Sequence, residues 1–112
     1  MGDHIMTAAQ LRRRGIQGQR LTEQLRRKKL FRVLGEVYSD RPPTTADKCR
    51  AVALWREDAV LSHFTAAWLY GWCPEPAVIE AYVSSEPGHP VPSWLHLHVA
   101  PYETYAPGSV VL

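Results

Sequence analysis

Two groups of residues have side chains able to do chemistry, and they lie in opposite halves of the sequence. In the C-terminal half, His96-x-His98 sets two imidazoles two residues apart. On a strand that spacing puts both on one face and suits a borderline metal ion, with His63 and His89 as candidates to join them. No acidic or cysteine partner stands near the pair in sequence, so the expectation is two solvent-facing histidines and no metal. Ser62-His63 has the residue types of a nucleophile and a base. Neighbours on a helix point in different directions, however, and no third group orients the histidine, so Ser62 is read as a helix cap. No catalytic residue, no cofactor and no enzymatic activity is expected.

In the N-terminal half, Gln19, Arg20, Thr22, Glu23, Gln24, Arg26, Arg27, Lys28 and Lys29 crowd into one short segment, and Arg32 follows. Arg and Lys at this density neutralise phosphates, while Gln19, Glu23, Gln24 and Arg26 offer donors and acceptors suited to base edges in a major groove. The balance of charge sharpens this reading. Residues 1–41 carry ten Lys/Arg against four Asp/Glu, whereas residues 42–112 carry three against seven, so a net +6 is followed by −4. A basic footprint this concentrated points to a polyanion, here double-stranded DNA.

The elements that must position these residues follow from local signals. Thr7-Ala8-Ala9-Gln10 has capping-box spacing and starts a helix over Ala8–Arg14, which Gly15 ends in a left-handed conformation. After the turn Ile16-Gln17-Gly18, a second helix runs from Gln19 to about Lys28, with Leu21 and Leu25 as its buried stripe. Leu30–Leu34 and Val37–Ser39 read as strands about the turn Gly35-Glu36, with Arg32 on the resulting wing. Helix, turn, basic helix and hairpin is the order of a winged helix-turn-helix.

Beyond Arg41-Pro42-Pro43, Thr44 or Thr45 caps a third helix to about Arg56, whose apolar positions include Ala51, Leu54 and Trp55. Ser62 caps a fourth through Tyr70, with Ala66, Ala67, Leu69 and Tyr70 packing and Gly71 stopping it. Val78–Val83 and Trp94–Val99 read as a small antiparallel strand pair, with Leu95, Leu97 and Val99 on one face. The fold class expected is therefore α+β: a winged helix-turn-helix over 1–41, then two helices and a strand pair over 42–112, packed as one compact unit. Residues 1–5 are given no structural role. Trp55 and Trp68 are assigned to the core, while Trp72 and Trp94 are left unassigned.

At 112 residues and 46% apolar composition, the chain can bury one modest core. No apolar run approaches the roughly 20 residues of a membrane span, and no secretory signal is present, so a soluble cytoplasmic protein is expected. Cys49 and Cys73 are read as reduced, small buried residues rather than a disulfide.

Leu11-x-x-x-Gly15-Ile16, the basic helix, Leu30-x-Arg32-Val33-x-Gly35-x-Val37-Tyr38 and Val60-Leu61-Ser62-His63-x-Thr65-Ala66-Ala67-x-Leu69-x-Gly71 follow one another in order. In this the chain resembles the N-terminal part of AbiEi-type antitoxins of actinobacteria and their phages. The resemblance covers about residues 7–72, and loosely the strands up to Val99. It implies a winged helix-turn-helix that binds promoter DNA, with the Gln19–Lys29 helix as the reading element and Arg32 on the wing. Lys28-Lys29 replaces the glycine usual after the basic helix. The chain also stops where such proteins continue into a toxin-neutralising domain, so a repressor or autoregulator without that domain is expected. A homodimer fits the pairing of half-sites. The alternative is a protein-interaction module, phage or accessory, whose C-terminal half docks a host or toxin partner. It calls for an exposed apolar patch larger than about 400 Å² around Trp94, Tyr102 and Tyr105.

Overall fold

Thr7 ends one element and begins the next. It is the last residue of strand β1 (Ile5–Thr7) and the cap of helix α1 (Ala8–Arg13). Its hydroxyl accepts the Gln10 N–H at 3.2 Å, and the Gln10 side-chain oxygen accepts the Thr7 N–H at 2.9 Å. The capping box is thus formed as its spacing predicts. The computed structural model describes residues 4–61, 63–99 and 110–111. Among these residues the protein is α+β, with four helices and two small sheets. It divides into two compact units, Met1–Trp55 and Arg56–Leu112.

In the first unit, α1 ends where Gly15 takes φ +77°. The Gly15 N–H donates to the Arg12 carbonyl and the Ile16 N–H to that of Leu11, which satisfies two orphan acceptors of the last turn. Helix α2 (Gln19–Arg26) follows, then strands β2 (Phe31–Leu34) and β3 (Val37–Ser39). The sheet order is β1-β3-β2, antiparallel throughout, with Ile5 and Phe31 both opposite Ser39. Met6, Leu11, Leu30 and Tyr38 form a buried cluster, and Ile16, Leu21 and Leu25 pack against it. Leu21 and Leu25 remain only half-buried, so α2 lies on the rim of this core.

Two expectations change here. Ile5, given no role from sequence, is a buried strand residue at 2% exposure. Helix α3 (Thr45–Trp55) packs on β1, β2 and β3 and so belongs with the basic segment; the division falls after Trp55, not after Arg41. Thr44 caps it, accepting the Asp47 N–H at 3.1 Å while Asp47 accepts the Thr44 N–H at 3.0 Å. Ala51 is buried, Trp55 is half-buried, and Leu54 turns outward.

The second unit contains β4 (Val60–Leu61), α4 (His63–Leu69), β5 (Ile79–Val83), β6 (Leu95–Val99) and β7 (Val110–Val111), in sheet order β6-β5-β4-β7. Strands β5 and β6 are parallel, with Ile79 opposite Leu95 and Val83 opposite Val99, which corrects the antiparallel pair expected from sequence. The physical reason is the connection. Ser84 is pinned at the end of β5 by Asp58, which accepts its N–H at 2.8 Å and its hydroxyl at 2.6 Å. The chain then returns along the sheet until the Trp94 carbonyl accepts the Ile79 N–H at 2.8 Å, so β6 starts beside the start of β5. A two-residue hairpin would have given the antiparallel arrangement; a long crossover gives the parallel one.

The C-terminal Val110–Val111 adds a further strand against β4. In α4, Thr65 and Ala66 are buried, but Leu69 and Tyr70, expected to pack, are 39% and 52% exposed at the last turn. Gly71 ends the helix at φ +79° as predicted. Trp55 and Trp68 are half-buried rather than fully enclosed, Trp94 is half-buried, and Trp72 is exposed. Ser62 as a cap and the patch at Tyr102 and Tyr105 lie outside the described residues. No helix among the described residues is long and apolar enough to cross a membrane.

Candidate nucleic-acid interface

Helix α2 presents the sequence-predicted residues in different states. Gln19, Arg20, Thr22, Arg26, Arg27, Lys28, Lys29 and Arg32 are exposed, whereas Glu23 and Gln24 are half-buried. The helix starts at Gly18 (φ +57°) with no side chain capping it and no acid in its first turn. The Thr22 hydroxyl bonds back to the Gly18 carbonyl at 3.2 Å. Its donor is therefore committed to the backbone.

Glu23 is not an isolated base-reading group. Its carboxylate takes both the Nε and an Nη of Arg26, at 3.2 and 2.6 Å, and the Nε of Arg27 at 2.8 Å. The Arg26 bonds, with those of Arg27, hold its carboxyl below the usual range against the opposing effect of desolvation. Glu23, Arg26 and Arg27 thus form a cluster with one net positive charge. To bind phosphate, the two guanidiniums must share or leave Glu23.

The end of α2 carries a second departure from the sequence reading. Lys28 takes φ +58°, the one left-handed non-glycine among the described residues. Its N–H donates to the Leu25 carbonyl at 3.1 Å, and that of Lys29 to the Gln24 carbonyl at 3.0 Å. This is the same closure that Gly15 gives α1, made by a residue with a side chain. The backbone keeps the shape a glycine would adopt, and two adjacent ammonium groups stand where the helix stops.

Arg32 sits on β2 opposite Tyr38 and is held there. Its guanidinium donates to the Tyr38 hydroxyl at 3.2 Å and lies 5.5 Å from the ring centroid. The turn of the hairpin is equally tethered. Gly35 has φ +55°, a Cβ there would meet Trp55 Cδ1 at 3.0 Å, and the Glu36 carbonyl accepts the Ala8 N–H at 2.9 Å. The hairpin is thus a short one whose tip is tied to α1 and backed by the α3 tryptophan.

The residues singled out from sequence omit Arg12 and Arg13, which are exposed in the last turn of α1 within the same unit. The signal was present in the run Arg12-Arg13-Arg14. Arg14 differs, because its guanidinium approaches the Met6 sulfur at 3.4 Å. Counted by unit, residues 1–55 carry twelve Lys/Arg and five Asp/Glu, a net +7, and residues 56–112 carry one and six, a net −5. Moving the boundary to Trp55 therefore increases the asymmetry.

The second unit also has a polar group that sequence reading missed. Glu80, on the strand beside His96 and His98, supplies the acidic neighbour that linear sequence lacked. Neither cysteine is in a disulfide: Cys49 is buried, and burial raises its thiol to about 11, whereas Cys73 is half-exposed rather than buried. No protein-family model matches the chain, and no curated protein matches its sequence.

Proposed function

We propose that the first unit is a winged helix-turn-helix that binds double-stranded DNA, with α2 as the reading helix and β2–β3 as a short wing. In this reading the chain is a transcriptional repressor or autoregulator of the antitoxin type. The observation that carries it is the set of exposed cations closing both short helices: Arg12 and Arg13 on α1, and Arg26, Arg27, Lys28 and Lys29 on α2, within a unit of net +7. The order strand, helix, turn, helix and hairpin, with β1 completing the sheet, supports the same reading. Gln19 and Arg20 open α2 on its exposed side and are the side chains best placed to reach base edges, with Gln24 half-buried behind them.

The test is fluorescence anisotropy of the full chain on its own upstream DNA and on a scrambled duplex across a salt titration. Selective binding is expected. Replacing Arg26 and Arg27 by alanine lowers the salt slope by roughly 0.9 for each phosphate that is no longer neutralised. Glu23→Gln, which frees both guanidiniums, tightens binding to either duplex. No binding at low salt would overturn the proposal.

A second reading rests on the second unit. Tyr70 and Trp72 stack with centroids 4.7 Å apart, and Trp72 is 73% exposed. An exposed aromatic pair beside Leu69 suits a protein contact, either a second copy of the chain or a partner protein. Sedimentation of the wild type against Trp72→Ser separates the two readings, since only this one makes association depend on Trp72.

A further inference from the structure

Strands β5 and β6 run in parallel register with Glu80 opposite His96 and Tyr82 opposite His98, so these four side chains share one face of the sheet. On that face the Glu80 Oε1, one nitrogen of His96 and one of His98 all lie within 4.8 Å of one another. His96 Nδ1 stands 3.7 Å from Glu80 Oε1, and His98 Nε2 stands 3.6 Å from the same oxygen. These separations exceed a hydrogen bond. The two Glu80 separations are close to the spacing of about 3.3 Å between donors that each sit about 2.0–2.1 Å from one tetrahedral ion, and the set as a whole, within 4.8 Å, reaches that spacing by a small turn of the exposed His96 ring.

We propose that Glu80, His96 and His98 form a site for one divalent transition-metal ion, zinc foremost, with its fourth position open to water. Two imidazoles and a carboxylate are a donor set for borderline ions and a poor one for calcium or magnesium, which take oxygen ligands. Three protein ligands with one vacancy is the pattern of a reactive rather than a closed structural site. The sequence offered His89 as a partner for the pair; the fold supplies Glu80 instead, and the side chain of His63 lies outside the described residues.

The surroundings hold these ligands in place. The Glu80 N–H donates to the hydroxyl of fully buried Thr65 at 2.9 Å, which fixes the β5 backbone beneath the carboxylate. The Tyr82 ring lies 5.2 Å from the His98 ring, and the two imidazoles are 4.8 Å apart, so neighbouring rings limit the swing of each ligand. Glu80 and His98 are 22% and 32% exposed and His96 is 63% exposed, so an ion enters from the His96 side. The unit's net −5 favours a cation.

Calorimetric titration of the metal-stripped full chain with zinc chloride tests this, with cobalt(II) as a visible probe. One equivalent is expected to bind, and cobalt should develop the ligand-field absorbance of a low-coordinate nitrogen and oxygen site. His96→Ala, at an exposed position where folding is not at stake, should weaken zinc by more than the roughly tenfold that removal of even an outer hydrogen-bond partner costs. The double variant His96→Ala with His98→Ala should bind none. Nitrogen-15 spectra should show His96 coordinating through Nδ1 and His98 through Nε2. Less than a stoichiometric equivalent in the wild type, or zinc retained undiminished in the double variant, would overturn the proposal, the latter by placing the ion on Cys73, His4 or His89.

Discussion

The two units place the ionisable groups of their candidate sites differently. In the first, Arg and Lys spread over the exposed ends of α1 and α2, and the ion pairs on α2 are local: Glu23 meets Arg26 and Arg27 within about one helical turn, whereas the unit's longer-range contact, His4 to Asp40 at 2.7 Å, involves none of those cations. In the second, polar groups from distant points of the chain converge. Asp58 gathers Arg56 and Ser84, and Glu80 faces His96 and His98 across a strand pair. A surface built from local charge can be read from a run of letters. A site built across strands depends on register, and register depends on how the chain returns.

The largest expected effect tests whether the first unit depends on its tethered hairpin. Gly35→Ala forces a side chain into a left-handed backbone and against the Trp55 ring, at a cost of about 3 kcal/mol from backbone strain and overpacking together. Urea unfolding, with amide exchange read at β2 and β3, should show the loss; an unchanged midpoint would mean that the turn is not held as described.

The second unit breaks differently, through acid. Asp58 has its carboxyl pulled well below the usual range by Arg56 and then by Ser84, against partial desolvation. With a folded value below the unfolded one of about 3.9, its contribution is complete above the unfolded value and is lost progressively as pH falls from there through the lower folded value. Asp58→Asn should cost about 1–3 kcal/mol at neutral pH and flatten this acid limb, seen as faster exchange in β5. A variant with the wild-type pH profile would show that Arg56 and Ser84 contribute no stability through Asp58.

The smallest effect sharpens the comparison rather than breaking it. Lys28→Gly should relieve the left-handed strain at the end of α2 and raise stability by about 1 kcal/mol, seen as a higher urea midpoint. If Lys28 meets a phosphate, the salt slope on DNA falls at the same time by roughly 0.9. The basic unit would then be giving up stability for charge at that residue.

Much of the first unit was legible because its signals are short in range. Thr7 and Gln10, Gly15 and the Gly35-Glu36 turn each specify structure within a few residues, and the structure contains all of them, while the Leu21 and Leu25 stripe faces the core but is only half-buried. What was hidden there needed tertiary partners: β1 exists because Ile5 finds Ser39, and α3 joins this unit because it packs across all three strands. In the second unit, alternation located β5 and β6 but left their direction open, since period two is the same in parallel and antiparallel sheets. The basic residues of the candidate interface were legible by type and position. The ties of Glu23, Thr22 and Arg32 were not, because they depend on rotamers and on Tyr38 across the hairpin.

The closeness of Trp55 to the hairpin tip has an optical consequence. With Trp68, Trp72 and Trp94 changed to phenylalanine, the remaining indole would emit from beside a backbone turn and serve as an internal gauge of that turn. Mixing this variant with duplex in a stopped-flow instrument would turn a change in the hairpin on binding into a time course, and a silent trace would mean that the hairpin meets its ligand already in its final shape.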